Sequence, residues 1–179
     1  GGGSVSALAS DIGVGLARMM AHLSFGKKKF EALDDKTKEE FKVRFDKLGE
    51  IRTELSTLVD KDTESFNEFM KALKLPKETD EEKVARAKAM EEATIFSIEV
   101  PYKTATLSLE ALKLLDFLVA NGNQNAITDI GVGTLMIETG MEGAILNVKV
   151  NLMGLENKEI HDKYSKGCKE ILYEGQKIK

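Results

Sequence analysis

Residues 144–152 read AILNVKVNL, and the fold class turns on them. β-Branching at Ile145, Val148 and Val150 suits a strand. As a helix, the same residues put Asn147 and Asn151 one turn apart on one face. No other stretch offers an alternating strand pattern, so the segment reads as helix and the chain as all-α, an antiparallel helical bundle. Composition points the same way: aromatics are 6%, Trp is absent and only two prolines occur among 179 residues. Lys, Glu, Leu and Ala fill the long stretches, as helical proteins do. The length suits one domain, 1–179.

Working outward, residues 5–23 form a helix apolar nearly all round and rich in Ala and Gly, with Ser4 as its N-cap and Gly26 beyond its end. Such a helix belongs in the middle of a bundle, where small side chains let neighbours approach. A long helix over 36–73 carries an apolar stripe of Phe41, Phe45, Leu48, Leu55, Val59 and Phe66, continued by Phe69 and Leu73. Asp80 is expected to cap a helix over 81–99. Pro101 is expected to interrupt or kink the chain before a helix at 102–120. After the turn ANGNQN, residues 125–139 and 142–153 read as two helices or one broken at Gly140 and Gly143. An amphipathic helix over 158–177 closes the chain.

Charge and composition exclude some functions. A net charge of −4 argues against general nucleic-acid binding, which needs a basic surface. No apolar run approaches the ~20 residues of a membrane span, and no signal peptide is apparent. A soluble, cytoplasmic protein is expected. Cys168 is the only cysteine, and His22 and His161 lie far apart, so no metal site is expected. GVGTLM, 131–136, lacks the third glycine and the preceding strand of a dinucleotide fingerprint.

Two charges break the long stripe: Arg52 between Leu48 and Leu55, and Asp62 between Val59 and Phe66. A carboxylate there is costly unless paired or functional. Its burial would make it an acid or base usable near neutral pH. Arg52 lies about 15 Å along the axis from Asp62, too far for a pair within the helix. GGGS, 1–4, reads either as a cloned linker or as a glycine turn whose free N–H groups attract anions at a helix start. Lys27, Lys28 and Lys29 make a compact positive patch that either receives an anion or is solvated. Asn123, Asn125 and Asp129 crowd a helix start, where capping alone would explain them. Asn147 and Asn151 suit interhelical hydrogen bonds or a polar heterocycle.

Taken in order, GGGSVSALASDIGVGLARMM, SFGKKKF, LVDKDTESF, LPKETDEEK, VPYKTA, NGNQNAITDIGVG and GAILNVKVNL resemble the formiminotransferase-cyclodeaminase family over Gly1 to about Leu155. The likeness is to its cyclodeaminase domain and stand-alone bacterial relatives, which include methenyltetrahydrofolate cyclohydrolases. The resemblance implies a helical homodimer with folate near the subunit interface. It also implies that Gly1–Ser4 are native and that a natural N-terminal segment precedes them. Asp62, the second aspartate of LVDKDTESF, is implied as catalytic acid/base. Gly2, Gly3 and Ser4 would offer N–H donors. Lys27, Lys28 and Lys29 would meet the anionic glutamate tail of the folate substrate, which is expected to be polyglutamylated. Asn123, Asp129, Asn147 and Asn151 would read the pterin edge. Asp11 departs from the small apolar residue that relatives tend to carry.

The implied reaction is cyclodeamination of 5-formimidoyltetrahydrofolate to 5,10-methenyltetrahydrofolate and ammonia, with no cofactor. A methenyltetrahydrofolate cyclohydrolase and a non-catalytic folate-binding dimer are the alternatives.

Overall fold

The computed structural model describes residues 1–178. Six α-helices and one 3₁₀ turn make the fold, and no strand occurs among the described residues. They are α1 (Gly2–His22), α2 (Lys28–Glu31), α3 (Asp35–Leu73), α4 (Asp80–Asn121), the 3₁₀ turn Gln124–Ala126, α5 (Ile127–Leu152) and α6 (Lys158–Lys177). The segment AILNVKVNL is the last part of α5, as the helical reading expects.

The centre of the bundle is α1, which packs against α3, α4 and α5. Its partners along α3 run in reverse, from Ser4–Asp62 to Asp11–Arg52 and Arg18–Phe45, so the two helices are antiparallel. The α3–α4 hairpin is antiparallel as well, tied by Arg86 to Leu73 near the turn and by Arg44 to Asp116 at the far end. Against α5 the approach is closest. A Cβ on Gly133 would lie 2.6 Å from the Gly13 carbonyl oxygen, and one on Gly140 would lie 2.6 Å from that of Ser6. Backbone therefore meets backbone at this crossing, which only the small residues of both helices permit. Polar groups that enter the interface are satisfied locally. Ser108 donates to the Thr104 carbonyl at 2.7 Å, so Ser10 donates to Ser108, also at 2.7 Å.

Four local expectations are corrected. First, α4 runs unbroken through Pro101, which is buried. Proline withdraws the N–H that would bond the Ser97 carbonyl, and the Asn151 side chain supplies the missing donor at 2.7 Å. Second, α5 is one helix, because Gly140 and Gly143 serve close packing against Ser10 and Ser6 rather than a break. Third, α4 is capped by Thr79, not Asp80, in a reciprocal box with Glu82. Fourth, Ser4 is not the N-cap of α1: Gly1 holds that position and Ser4 lies in the first turn. Beyond α1, Gly26 adopts φ +74°, the left-handed turn that a glycine allows.

The Gly13–Gly133 and Ser6–Gly140 contacts should tolerate no added methyl. Gly133→Ala and Gly140→Ala are each expected to lower stability by about 1–3 kcal/mol, read from the midpoint shift of a denaturant melt.

Candidate active site

At the end of the bundle where α1 begins, an open cleft of about 1030 Å³ lies between the N-terminus of α1, the second half of α3, the first half of α4 and the end of α5. Asp62 projects into it from α3. Its Oδ2 accepts two hydrogen bonds, from the Ser4 backbone N–H and the Ser4 hydroxyl, each at 2.9 Å. The carboxylate thus seats on the first turn of α1, where unpaired N–H groups and the helix dipole favour negative charge. Gly3 makes this possible: a Cβ there would stand 2.0 Å from Asp62 Oδ1. Asp62 is half-buried rather than enclosed. One carboxylate oxygen is held by Ser4, and no donor among the described residues occupies Oδ1.

Arg52 has a different partner from any the stripe suggests. Its Nε donates to Asp11 at 3.0 Å. That pair explains two oddities at once: the charge in the α3 stripe and the aspartate in an apolar first helix.

Asn147 and Asn151 share the cleft with Asp62. Each amide is oriented by a backbone carbonyl, Asn147 by Gly143 at 2.8 Å and Asn151 by Ser97 at 2.7 Å. Each therefore keeps an acceptor oxygen and a second N–H for other use. Gly2 lies against Asn147, with its Cβ position 3.1 Å from Nδ2. Of the sequence-derived candidates, Asp62, Gly2, Gly3, Ser4, Asn147 and Asn151 come together here.

The rest do not. Lys27, Lys28 and Lys29 lie beyond the other end of α1, about 30 Å away by the length of that helix. Lys27 is the N-cap of α2, and all three lysines are exposed. Asn123 is at the same far end, donating to the Leu23 carbonyl and capping the 3₁₀ turn through Asn125. Its neighbour Asn125 offers its N–H to that cap and is otherwise exposed. Asp129 sits in the first turn of α5, also away from the cleft. Within one chain these positions are tied to helix ends, not to the Asp62 cleft.

Sequence reasoning missed part of the lining. Phe66 and Phe69 face the cleft, and Phe66 is 61% exposed. They lie four and seven residues after Asp62, the spacing that shares its face, so the apolar stripe carries the signal without saying that this part of it lines a cleft. Arg86, Met90, Thr94 and Ser97 contribute from α4. Among the described residues, no group of three or more His, Cys, Asp or Glu is arranged to hold a metal ion. No helix among them is long and apolar enough to cross a membrane.

The family profile for formiminotransferase-cyclodeaminase matches residues 1–170. The chain belongs to that family. The match to the formiminotransferase-cyclodeaminase family spans all four helices that build the cleft. A methenyltetrahydrofolate cyclohydrolase of Methylorubrum extorquens is 33% identical over 174 residues, 97% of this chain and 82% of that protein. The formimidoyltransferase-cyclodeaminase of Gallus gallus is 33% identical over 176 residues. The chain spans about a third of the latter's length, 32%. In structure, the formiminotetrahydrofolate cyclodeaminase of Thermotoga maritima superposes with a TM-score of 0.85 at 21% identity, over 99% of this chain and 83% of that one. That likeness establishes the fold.

The seat of Asp62 can be probed directly. Gly3→Ala is expected to displace the carboxylate from α1 and cost about 1–3 kcal/mol in a denaturant melt. Ser4→Ala, which removes one of two hydrogen bonds and keeps the backbone N–H, should cost about 1 kcal/mol.

Proposed function

We propose that the chain is a formimidoyltetrahydrofolate cyclodeaminase and that Asp62 is its general acid/base. The observation that carries this reading is the seat of Asp62. One oxygen is fixed by Ser4, the other lies against Gly3, and the residue lines an open cleft that two oriented amides also line. A carboxylate held in this way can take a proton and return it without changing its position.

In cyclodeamination, N10 of the folate attacks the formimidoyl carbon, giving a tetrahedral centre that bears both ring nitrogens and an amino group. The N10 proton must leave, and the departing amino nitrogen must gain one. Asp62 serves both transfers in turn, for about 10²–10⁴-fold of rate. The amides of Asn147 and Asn151 suit the alternating donors and acceptors of a pterin. The N–H groups of Gly2 and Gly3 suit an acceptor atom at its edge. Holding N10 against the carbon supplies further acceleration by orientation. This chemistry asks nothing of a metal or redox cofactor.

A second reading has an observation in its favour. The Methylorubrum extorquens relative, of which this chain covers 82%, is named a methenyltetrahydrofolate cyclohydrolase. In that reaction Asp62 would take a proton from water attacking the methenyl carbon and return it to N5 as the C–N5 bond breaks, while the second water proton leaves to solvent as the formyl carbonyl forms.

The site lies beside an unpartnered apolar face, which supports a homodimer. Leu8 and Ile12 of α1 and Leu135, Leu146 and Val150 of α5 are all exposed, with Leu135 and Leu146 at 62% and 66%. Val150 also lines the cleft, so a second copy seated on this face would border the site. A patch of this kind exceeds the scattered single apolar residues of a monomer surface.

Two experiments test the reading. Ammonia release from 5-formimidoyltetrahydrofolate, followed together with methenyltetrahydrofolate absorbance, should show both products rising in step. Loss of added methenyltetrahydrofolate without ammonia chemistry would move the answer to the cyclohydrolase, and folate binding with neither would leave a binding protein. Asp62→Asn should keep the fold and folate affinity while kcat falls about 10²–10⁴-fold; unchanged kcat rules out the acid/base role. For the dimer, sedimentation should give twice the chain mass, and Leu135→Lys or Leu146→Lys should halve it.

A further inference from the structure

We propose that Arg86 is the carboxylate receptor of the cleft, placed to hold the anionic end of an elongated substrate whose reacting end lies at Asp62. This rests on the folate reading above and adds the substrate's orientation to it.

The argument begins with spacing on α3. Asp62, Phe66, Phe69 and Leu73 follow one another at four, three and four residues, so they line one face of the helix. The span from Asp62 to Leu73 is about 16 Å along the axis. At its far end, Arg86 of α4 donates to the Leu73 carbonyl through Nε at 3.3 Å and Nη2 at 3.1 Å. These bonds fix the guanidinium at the hairpin end of the cleft. They engage the Nε/Nη2 edge, two of its five N–H donors, and leave the terminal Nη1/Nη2 edge for a planar anion.

Charge and position together single out this residue. Arg44 and Arg52 are each paired with carboxylates; Arg18 and Arg86 have no carboxylate partner among the described residues, and of these two Arg86 lines the cleft while Arg18 lies on the Phe45 ring. The other charged groups lining the cleft besides Asp62 are Lys88, Glu91 and Glu156. Lys88 is largely exposed and lies 4.0 Å from Glu92. Arg86 is thus the half-buried cation of the cleft, fixed by its own hydrogen bonds and lacking a counter-ion.

Between the two ends stand Phe66 and Phe69, both open to the cleft. Read along α3, the surface is a proton-transfer group, then aromatic rings, then a guanidinium. A reduced folate has the same order: reacting nitrogens, an aminobenzoyl ring, then glutamate carboxylates. Lys27, Lys28 and Lys29, at the opposite end of α1, cannot reach that tail within the same chain.

The test compares two substrates in the wild-type protein and in variants. One is the tetrahydrofolate substrate, with its glutamate; the other carries a neutral methylamide in place of the glutamate. Wild-type protein should show a lower KM for the glutamate form, an advantage that shrinks with added salt. Arg86→Gln should raise the KM of the glutamate form about tenfold relative to the methylamide form, and Arg86→Lys should restore part of the difference. An equal rise for both substrates would make Arg86 a support of the hairpin and overturn the proposal, as would equal wild-type KM values at low salt. If Arg86→Gln does not fold, the wild-type salt series and Arg86→Lys decide. Turnover of both substrates with no dependence on Arg86 would remove this assignment and leave the reaction standing. Turnover of neither would remove the folate reading, and this proposal with it.

Discussion

The structure depends on how closely α1 can lie against α5. At Gly13, Gly133 and Gly140 there is no room for a single added carbon, because backbone carbonyls stand where Cβ atoms would go. This contact sets α1 in the centre, and the centre sets the other helices: α3 and α5 run against it and α4 runs with it. The chain accepts the conformational cost of glycine in helix interiors, roughly 0.5–1 kcal/mol each relative to alanine. It gains dense interhelical contact in return. A larger residue at any of these positions would move α1 as a whole, and with it the turn that receives Asp62.

The candidate site inherits its geometry from that placement. Asp62 does not make a pocket of its own; it borrows the beginning of another helix. The N–H of Ser4 and the hydroxyl of Ser4 hold one oxygen, and Gly3 leaves space for the other. Because both helices are rigid and long, the carboxylate is positioned by the bundle rather than by a loop. This is the arrangement that precise proton transfer requires. The open lining of the cleft is left to recognise the rest of a substrate.

Much of this was legible in the sequence. Helical periodicity marked α1, α3 and α6, and the charge at position 62 stood out on an apolar stripe. The pairing of Asp62 with the glycine turn was not legible, since 58 residues separate them. Pro101 suggested a break because proline ordinarily forfeits a helical bond; the donor that compensates comes from a different helix, 54 residues away. That Lys27, Lys28, Lys29, Asn123 and Asp129 lie apart from the Asp62 cleft within one chain has a single cause. Composition identifies polar clusters at helix ends but not which end of the bundle those ends share. Phe66 and Phe69 were legible as part of the apolar stripe but not as cleft lining, because periodicity reports a common face without saying whether that face is covered. Arg86 had no signal at all, since its role depends on its position across the hairpin and on the absence of a counter-ion.

The exchange between Pro101 and Asn151 has a wider bearing. The proline does not line the cleft, yet it determines how one of the cleft's amides presents itself, because the carbonyl it frees is what holds that amide still. An ordinary residue at position 101 would complete its own helical ladder and release the Asn151 nitrogen to turn toward a ligand. The cleft's preference among ligands could then change while every residue on its wall stayed the same. Positions 101 and 151 therefore form one structural unit, and a redesign of either has to treat the two as a single choice.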